Sequence, residues 1–238
     1  MSEGISILVP TLNRPHNMTQ FAESVNSTTS DYSNIEILFG IHEDDSHSLN
    51  KANELKNKCK IQIRDEIIQR YSDGKIHLSF LWNQLYKKAK YPILGFFGDD
   101  VIFQTKGWDQ EVRKEFLKDS IILLYGNDVY CQKGALATLF FTHKKVHDAV
   151  GYYLNENFRR WYMDTWWDNV FRSAKKLKYR PDLLWAHLHP DAFPDKIDDT
   201  YRKMETEKNK IPDGKYISSP ESALEMKRIV NIIKELRS

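Results

Sequence analysis

Short apolar runs and longer stretches with helical periodicity alternate through the first 130 residues of the chain. The apolar runs are rich in β-branched residues, which is typical of strands that a parallel sheet buries on both faces. These predicted strands are residues 5–10, 35–45, 60–65, 92–100 and 120–128. The helical stretches between them are residues 16–27, 48–58, 77–90 and 107–119. The alternation predicts an open α/β sheet with right-handed crossovers.

After residue 130 the regular alternation ends. Residues 134–153 predict a strand and a short helix, and residues 159–177 predict a helix with an apolar face. Residues 183–189 predict a strand, and residues 198–210 predict a polar helix or tail. This half of the chain therefore completes the same domain with a different order of elements.

The last stretch of the chain, residues 216–238, predicts an amphipathic helix. Ser219 followed by Pro220 supplies a favourable N-cap and first turn. An apolar face would dock this helix onto the rest of the domain. That predicted face consists of Leu224, Ile229, Ile232, Ile233 and Leu236.

Composition agrees with a single globular domain. The 238 residues are 41% hydrophobic, which is enough for a substantial core. The net charge of +2 neither requires nor excludes a polyanionic partner. Cys59 and Cys131 are too few for a disulfide scaffold. We find neither a signal peptide at the start nor a run approaching the ~20 apolar residues of a membrane span, so we expect a cytoplasmic protein without membrane insertion.

Acidic residues follow two of the predicted strands directly. Asp99 and Asp100 end one strand, and residues 43–45 end another. The carboxyl ends of parallel strands share one edge of a sheet, where ligands bind. Clustered carboxylates repel one another unless a cation is present, and a divalent metal that bridges to a phosphate would resolve the repulsion. The alternative is that Asp99 and Asp100 form only a turn or helix cap before the apolar residues 101–103.

Three stretches, in this order, resemble glycosyltransferases of the GT-A fold, especially those of family 2. The first is "ISILVPTLNRPHNMTQFAESV", which is similar to the opening strand, loop and helix of that family. The second is "IEILFGIHEDDS", which resembles the strand whose terminal acids hold the base and ribose of the nucleotide. The third is "GFFGDDVIFQTKGWDQEV", which resembles the metal-binding segment and the helix that follows it.

This resemblance implies a binding site for a nucleotide-diphosphate sugar. Thr11 and Asn13 can donate hydrogen bonds to a nucleobase or phosphate, and Arg14 supplies a fixed positive charge near a diphosphate. Arg14 and Lys75 could instead be ordinary surface residues. The candidate donor-binding residues are Pro10, Thr11, Asn13, Arg14, Glu43, Asp44, Asp45, Asp73, Lys75, Asn83, Gly98 and Asp99.

The candidate metal site departs from the family pattern. The family has Asp-x-Asp, whereas Phe97 here replaces the first acid and Asp99 aligns with the last. Asp99 or Asp100 could therefore bind the cation, which we expect to be Mn²⁺ or Mg²⁺. His187 and His189 would share one face of a strand, and the resemblance implies that a histidine of this region is a further metal ligand. A structural role for both histidines is the alternative.

The stretch "NFRRWYMDTWWDNVF" carries the candidate acceptor side. Its aromatic residues could stack on a sugar or a base, and we assign Trp161, Tyr162 and Trp166 to acceptor binding. By resemblance, Asp164 is the general base that removes the proton of the acceptor hydroxyl, with Asp168 as the fallback. The alternative for Asp164 is an N-cap of the helix.

We therefore predict a mostly parallel α/β sheet of GT-A type, with helices on both sides, in one domain with a C-terminal helical extension. Residues 1–130 would bind the nucleotide sugar, residues 131–215 would form the acceptor side, and residues 216–238 the final helix. The predicted activity is metal-assisted glycosyl transfer with inversion, with a UDP-sugar favoured as donor. The acceptor could be a glycan, a small molecule or a hydroxylated base in DNA. The alternatives are a nucleotidyltransferase and an inactive module that binds sugar nucleotides or glycans.

Overall fold

One mixed sheet forms the centre of the molecule. The structure is a computed structural model that describes residues 3–69, 75, 77–206 and 210–237. Its strands are β1 (Ile5–Thr11), β2 (Ile35–His42), β3 (Gln62–Ile68), β4 (Ile93–Phe96), β5 (Val101–Phe103), β6 (Leu123–Asn127), β7 (Phe140–His143) and β8 (Leu177–His187). They lie in the order β3-β2-β1-β4-β7-β6-β8-β5. Strands β1 to β4 are parallel, as are β6 and β8, whereas β7 runs antiparallel to β4 and β6, and β5 antiparallel to β8.

Local capping signals explain where several helices begin. Pro15 opens the first helix, the carboxylate of Asp45 accepts the backbone N–H of Ser48 at the start of the second, and Ser219 caps the last by accepting the N–H of Ser222. The helices are α1 (Pro15–Thr28), α2 (Ser46–Lys58), α3 (Leu78–Lys88), α4 (Trp108–Lys118), α5 (Lys144–Val150), α6 (Met163–Ser173), α7 (Asp199–Thr206), α8 (Lys210–Ile217) and α9 (Pro220–Glu235).

Two apolar layers cover the two faces of the sheet. Successive side chains of a strand point to opposite faces, so Ile7 and Val9 of β1 pack with α1, α2 and α4, whereas Leu8 packs with α3, α5, α6 and α9. This double burial explains why β1, β2 and β4 are almost continuously apolar, whereas the edge strand β3 and the strand β8 carry polar residues and are partly exposed. Within the described residues, no helix is both long and apolar enough to cross a bilayer.

The structure confirms the mostly parallel α/β sheet, with β5 and β7 as its antiparallel strands, and corrects two sequence expectations. Strand β4 ends at Phe96, so Asp99 and Asp100 lie in the turn that leads to β5 rather than on the strand itself. Leu224 does not belong to the docking face of α9, because its side chain is 71% exposed while Ile229 and Ile233 are buried.

Candidate functional site

A cleft of about 230 Å³ lies at the carboxyl ends of β1 and β4. In the sheet, β2 lies on one side of β1 and β4 lies on the other, so the strand order reverses direction at β1. Ligands of open α/β sheets bind at such a switch point. Many of the predicted site residues line this cleft. They are Pro10, Thr11, Arg14, Gly98, Asp99, Asp100, Trp161, Tyr162, Asp164, His187 and His189.

Asp99 is held by side chains from the first loop and helix. Its Oδ2 accepts the Thr11 hydroxyl at 2.7 Å, and its Oδ1 accepts Arg14 Nη1 at 3.2 Å and Asn17 Nδ2 at 3.5 Å. Burial raises the pKa of Asp99 to about 6, although Arg14 acts in the opposite direction. Both oxygens of Asp99 are therefore engaged by protein donors.

Asp100 faces His187 across the cleft. Its Oδ1 lies 3.5 Å from Nε2 of His187, a contact that exists because β5 pairs with β8 and aligns Val101 with His187. Burial alone would raise the pKa of Asp100, but His187, Arg14 and His189 together lower it to about 2. Burial would likewise lower the pKa of His187, but Asp100 raises it to about 10. In the structure the two groups therefore form an ion pair.

Arg14 joins the first loop to the segment that follows β8. Its Nε and Nη2 donate to the two oxygens of Asp198 at 2.6 and 2.8 Å, in addition to the contact with Asp99. The hydroxyl of Thr200 donates to the carbonyl of Leu12 at 3.0 Å. These contacts hold residues 198–200 over the end of β1 and keep a guanidinium at the cleft.

The acids after β2 line a second cleft, of about 420 Å³, beside the first. Asp45 is buried and accepts the backbone N–H of Asn13, whose positive φ of 52° turns the first loop towards it. Asp44 lines the same cleft and is exposed, and Glu43 is also exposed. Asp198 borders both Arg14 and this second cleft, so the two clefts adjoin.

The candidate acceptor side stands opposite these groups. Asp164 is the second residue of α6, and Tyr162, with a φ of 65°, occupies the N-cap position, so Asp164 is not the cap. Its Oδ1 accepts the backbone N–H of Thr165 at 2.7 Å, and burial raises its pKa. The guanidinium of Arg160 lies 4.9 Å from the centre of the Trp161 ring. The wall of the cleft thus combines a carboxylate, aromatic faces and positive charge.

Solved structures show where else this arrangement of elements occurs. A mannosyltransferase from Pyrobaculum calidifontis, in complex with GDP-Man and Mn²⁺, matches 98% of this chain with a TM-score of 0.63 at 10% identity, over 70% of its own length. Residues 1–349 of S. aureus TarS, in complex with UDP-GlcNAc, match 96% of the chain with a TM-score of 0.63 at 10% identity, over 72% of that fragment. The fold is that of GT-A-type glycosyltransferases.

The likeness is one of fold and not of sequence. No protein-family model matches the chain, and no curated protein matches its sequence. A longer structure of S. aureus TarS matches 98% of this chain, with a TM-score of 0.59 at 11% identity. The chain spans only 44% of the length of that structure. The comparisons therefore show the GT-A fold of this chain, and the residues of the cleft indicate its chemistry.

Several predicted site residues lie elsewhere in the GT-A fold. Trp166 is 1% exposed and donates from its indole to Ser222, so it has no face for an acceptor. Asp168 is buried, accepts the N–H of Ala137 and pairs with Arg172, and does not line the cleft. Asn83 holds the backbone of residues 153 and 154. Asp73 lies outside the described residues, and Lys75 lines neither of the two clefts.

Several residues of the cleft have no recognisable signal in the sequence. Trp82 and Phe96, with ring centroids 4.3 Å apart, contribute to an apolar wall that also includes Met163. Helical spacing assigns Trp82 to the core, and nothing in a single sequence shows that one edge of such a residue borders a cavity. Asp198 was missed because its partner Arg14 lies 184 positions away in the chain.

The chemistry of the donor set fits a hard divalent cation. Asp100 and His187 present a carboxylate and an imidazole to the same space, and His189 lies beside them with ring centroids 5.2 Å apart. Carboxylate and imidazole groups bind Mn²⁺, and carboxylates suit Mg²⁺. Because Thr11, Arg14 and Asn17 already engage Asp99, Asp100 is the better placed of the two acids.

Proposed function

We propose that this protein transfers a sugar from a nucleotide-diphosphate sugar, with a UDP-sugar favoured, to the hydroxyl of an acceptor. The observation that carries the proposal is the convergence of Arg14, Asp100, His187 and Asp164 on one cleft of a GT-A fold. Relatives in fold bind UDP-GlcNAc or GDP-Man, which supports this class of donor. The resemblance to family 2 implies direct displacement with inversion.

In this proposal residues 1–130 hold the donor. The cleft beside Asn13, Asp44 and Asp45 receives the nucleoside, and Arg14 exchanges part of its contact with Asp198 for the diphosphate. Asp100 and His187, with His189 or Asp99 as a further ligand, would hold Mn²⁺ or Mg²⁺, which supplies positive charge against the leaving diphosphate. Arg14 adds a fixed charge on the same side.

Residues 131–215 supply the acceptor side in the same proposal. Asp164 removes the proton of the attacking hydroxyl, and its raised pKa makes the carboxylate a better proton acceptor than an exposed aspartate. Trp161 and Tyr162 offer aromatic surfaces beside it. The acceptor is a glycan, a small molecule or a hydroxylated base in DNA. Residues 216–238, which include α9, support this half from behind through α5, α6 and α8.

Release of nucleoside diphosphate from a panel of nucleotide sugars, with and without Mn²⁺, tests the proposal. We expect release from at least one UDP-sugar, dependence on the cation, and loss of both in Asp100→Ala. Asp44→Ala, which changes an exposed acid of the neighbouring cleft, should weaken donor binding but retain the cation dependence. Pyrophosphate as the product would identify a nucleotidyltransferase. A chain that binds nucleotide sugars but transfers sugar to none of the acceptor classes would be a non-catalytic module.

A further inference from the structure

A second group of metal-binding side chains lies directly behind the cleft. Asp128, Cys131 and His187 each present one ligand atom, and these atoms all lie within 4.8 Å of one another. Asp128 is 2% exposed, and Cys131 and His187 are partly buried. The group is assembled by backbone contacts, because the N–H of His187 donates to the carbonyl of Asp128 at 3.1 Å.

His187 reaches both groups through its two ring nitrogens. Nε2 faces Asp100, as described above. Nδ1 is buried, and it has no hydrogen-bond partner within the part of the chain that the structure describes. A buried polar atom without a partner costs free energy, so a ligand that satisfies Nδ1 would stabilise the arrangement.

The carboxylate of Asp128 is fixed in place by three protein donors. The N–H of Gln132 is shared between its two oxygens, Lys133 N–H donates to Oδ1 at 2.7 Å, and the Thr138 hydroxyl donates to Oδ2 at 3.0 Å. A carboxylate has about four acceptor positions, and these donors make four contacts, so a cation would replace one of the two contacts with the shared Gln132 N–H. A ligand oxygen held this way loses little freedom on binding a cation.

We propose that Asp128, Cys131 and Nδ1 of His187 bind one Zn²⁺-class ion. A thiolate and an imidazole favour a borderline-soft metal such as Zn²⁺ over Mn²⁺ or Mg²⁺, whose preferred ligands are oxygens. Ligands at about 2.0–2.3 Å around a tetrahedral ion lie roughly 3.3–3.8 Å apart, so a separation at the 4.8 Å limit would shorten by about 1 Å on binding. The Cys131 thiol and Nδ1 of the His187 imidazolium each release one proton to solvent, Nε2 keeps its proton towards Asp100, and water completes the shell.

This site would communicate with the cleft because both use His187. If the proposed function is correct, Zn²⁺ bound at Nδ1 would leave the imidazole proton on Nε2, so His187 could no longer bind the cation of the cleft and zinc would inhibit transfer. That consequence rests on the proposed function, whereas binding of the ion does not. The binding test below therefore remains informative if no sugar transfer is found.

Titration of the full chain with Co²⁺, followed by thiolate-to-cobalt charge-transfer absorption, tests the site without any activity. We expect one equivalent of Co²⁺ to produce this absorption, and Zn²⁺ to displace it. Cys131→Ser should abolish the absorption, and His187→Ala should weaken Co²⁺ binding at least about tenfold. Cys59→Ser is the matched control, because Cys59 follows the C-terminus of α2 and is the other free thiol; it should bind as the unmodified chain does.

Absorption that persists in Cys131→Ser, or that disappears in Cys59→Ser, would overturn the assignment. Absence of the absorption in the unmodified, fully reduced chain would also overturn it. A circular-dichroism melt of each variant shows that the chain is folded before it is titrated. Serine replaces the thiol of Cys131 with a hydroxyl of similar size, so loss of cobalt binding in a folded variant reports loss of the thiolate ligand.

Discussion

Gly98 leaves space for the carboxylate of Asp100, which we propose as a cation ligand. A Cβ at this position would lie 2.6 Å from Oδ1 of Asp100, the oxygen that faces His187. An added methyl group must therefore push the carboxylate away from the imidazole. The backbone at Gly98 does not require a positive φ, so the effect of a substitution falls on the neighbouring side chain rather than on the main chain.

We predict that Gly98→Ala weakens Mn²⁺ binding by roughly 10–100-fold, the range seen when groups that position a metal ligand are changed. Isothermal titration with Mn²⁺ in the presence of UDP measures this affinity. Gly214→Ala is the control, because its Cβ would make only ordinary contacts, the nearest at 3.6 Å to Tyr162. Equal Mn²⁺ affinity in the two variants would contradict the role of Asp100 in cation binding.

Asp164 is the proposed general base. Because Tyr162 occupies the N-cap position, Asp164→Asn should leave the melting temperature and donor affinity almost unchanged. Sugar transfer should fall by roughly 10²–10⁴-fold, the usual contribution of a positioned general base. Asp168→Asn is the matched comparison: it should lower the melting temperature, because Asp168 pairs with Arg172 and holds Ala137, while the rate constant changes little.

Wild-type transfer rates in Asp164→Asn would remove this residue from the mechanism. Loss of transfer in both variants, with both folded, would mean that the charge of α6 matters more than the position of one carboxylate.

At the scale of elements, helix α8 holds one segment of the proposed acceptor side in place. Its Asp213 is completely buried and accepts the backbone N–H groups of residues 159, 160 and 161 at 3.0, 2.9 and 2.8 Å. Three charge-assisted hydrogen bonds thus hold the segment that presents Trp161 and Tyr162 to the cleft. Helix α9 packs against α8 in turn.

We predict that Asp213→Asn costs about 1.5–3 kcal/mol of stability, the contribution of hydrogen bonds to a charged group. The apparent affinity for the acceptor should also fall, because Trp161 loses its fixed position, while donor affinity is retained. Asp109→Asn is the matched control: Asp109 lies on α4, is equally buried and accepts the N–H groups of Ser30 and Asp31, which follow α1, but it does not line the cleft.

Denaturant unfolding and steady-state kinetics on both variants measure the two effects. If Asp213→Asn and Asp109→Asn change acceptor affinity equally, the segment 159–161 does not depend on α8 for its function.

For the whole molecule, a buried histidine links stability to pH. His147 is 0% exposed, and its Nε2 lies 2.7 Å from the Thr142 hydroxyl. Burial lowers its pKa from 6.5 to about 3. The folded chain therefore binds the proton less readily than the unfolded chain does. The stabilising contribution is complete above pH 6.5 and is lost as the pH falls towards 3.

We predict that the free energy of unfolding falls by up to about 1.4 kcal/mol per pH unit below pH 6 through this residue. Urea unfolding at pH 7, 6 and 5 measures the change. His147→Gln keeps a polar side chain opposite Thr142 but does not titrate, so its stability relative to the unmodified chain should improve as the pH falls. A stability difference that does not vary with pH would contradict the lowered pKa of His147.

Sequence patterns predicted most of the elements of this protein and several residues of its cleft. Apolar runs predicted the buried strands β1, β2 and β4, because a strand covered on both faces is apolar at almost every position. Capping residues predicted the start of α9 at Ser219 and Pro220, since a cap acts within one turn of the chain. The rule that ligands bind at the carboxyl ends of parallel strands predicted that the acids after β2 and the pair Asp99 and Asp100 lie at one edge, whereas the role of Arg14 followed from the resemblance.

Only the tertiary structure decided which residues of the second half reach the cleft. The pairing of β5 with β8 sets Asp100 against His187, and the burial of α6 beneath α9 places Trp166 in the core. Asp213 and Asp198 likewise act on segments more than fifty positions away in the chain. Periodicity and capping are local properties, which a sequence records directly. Contacts between distant elements depend on how whole faces pack, and a single sequence does not record which faces meet.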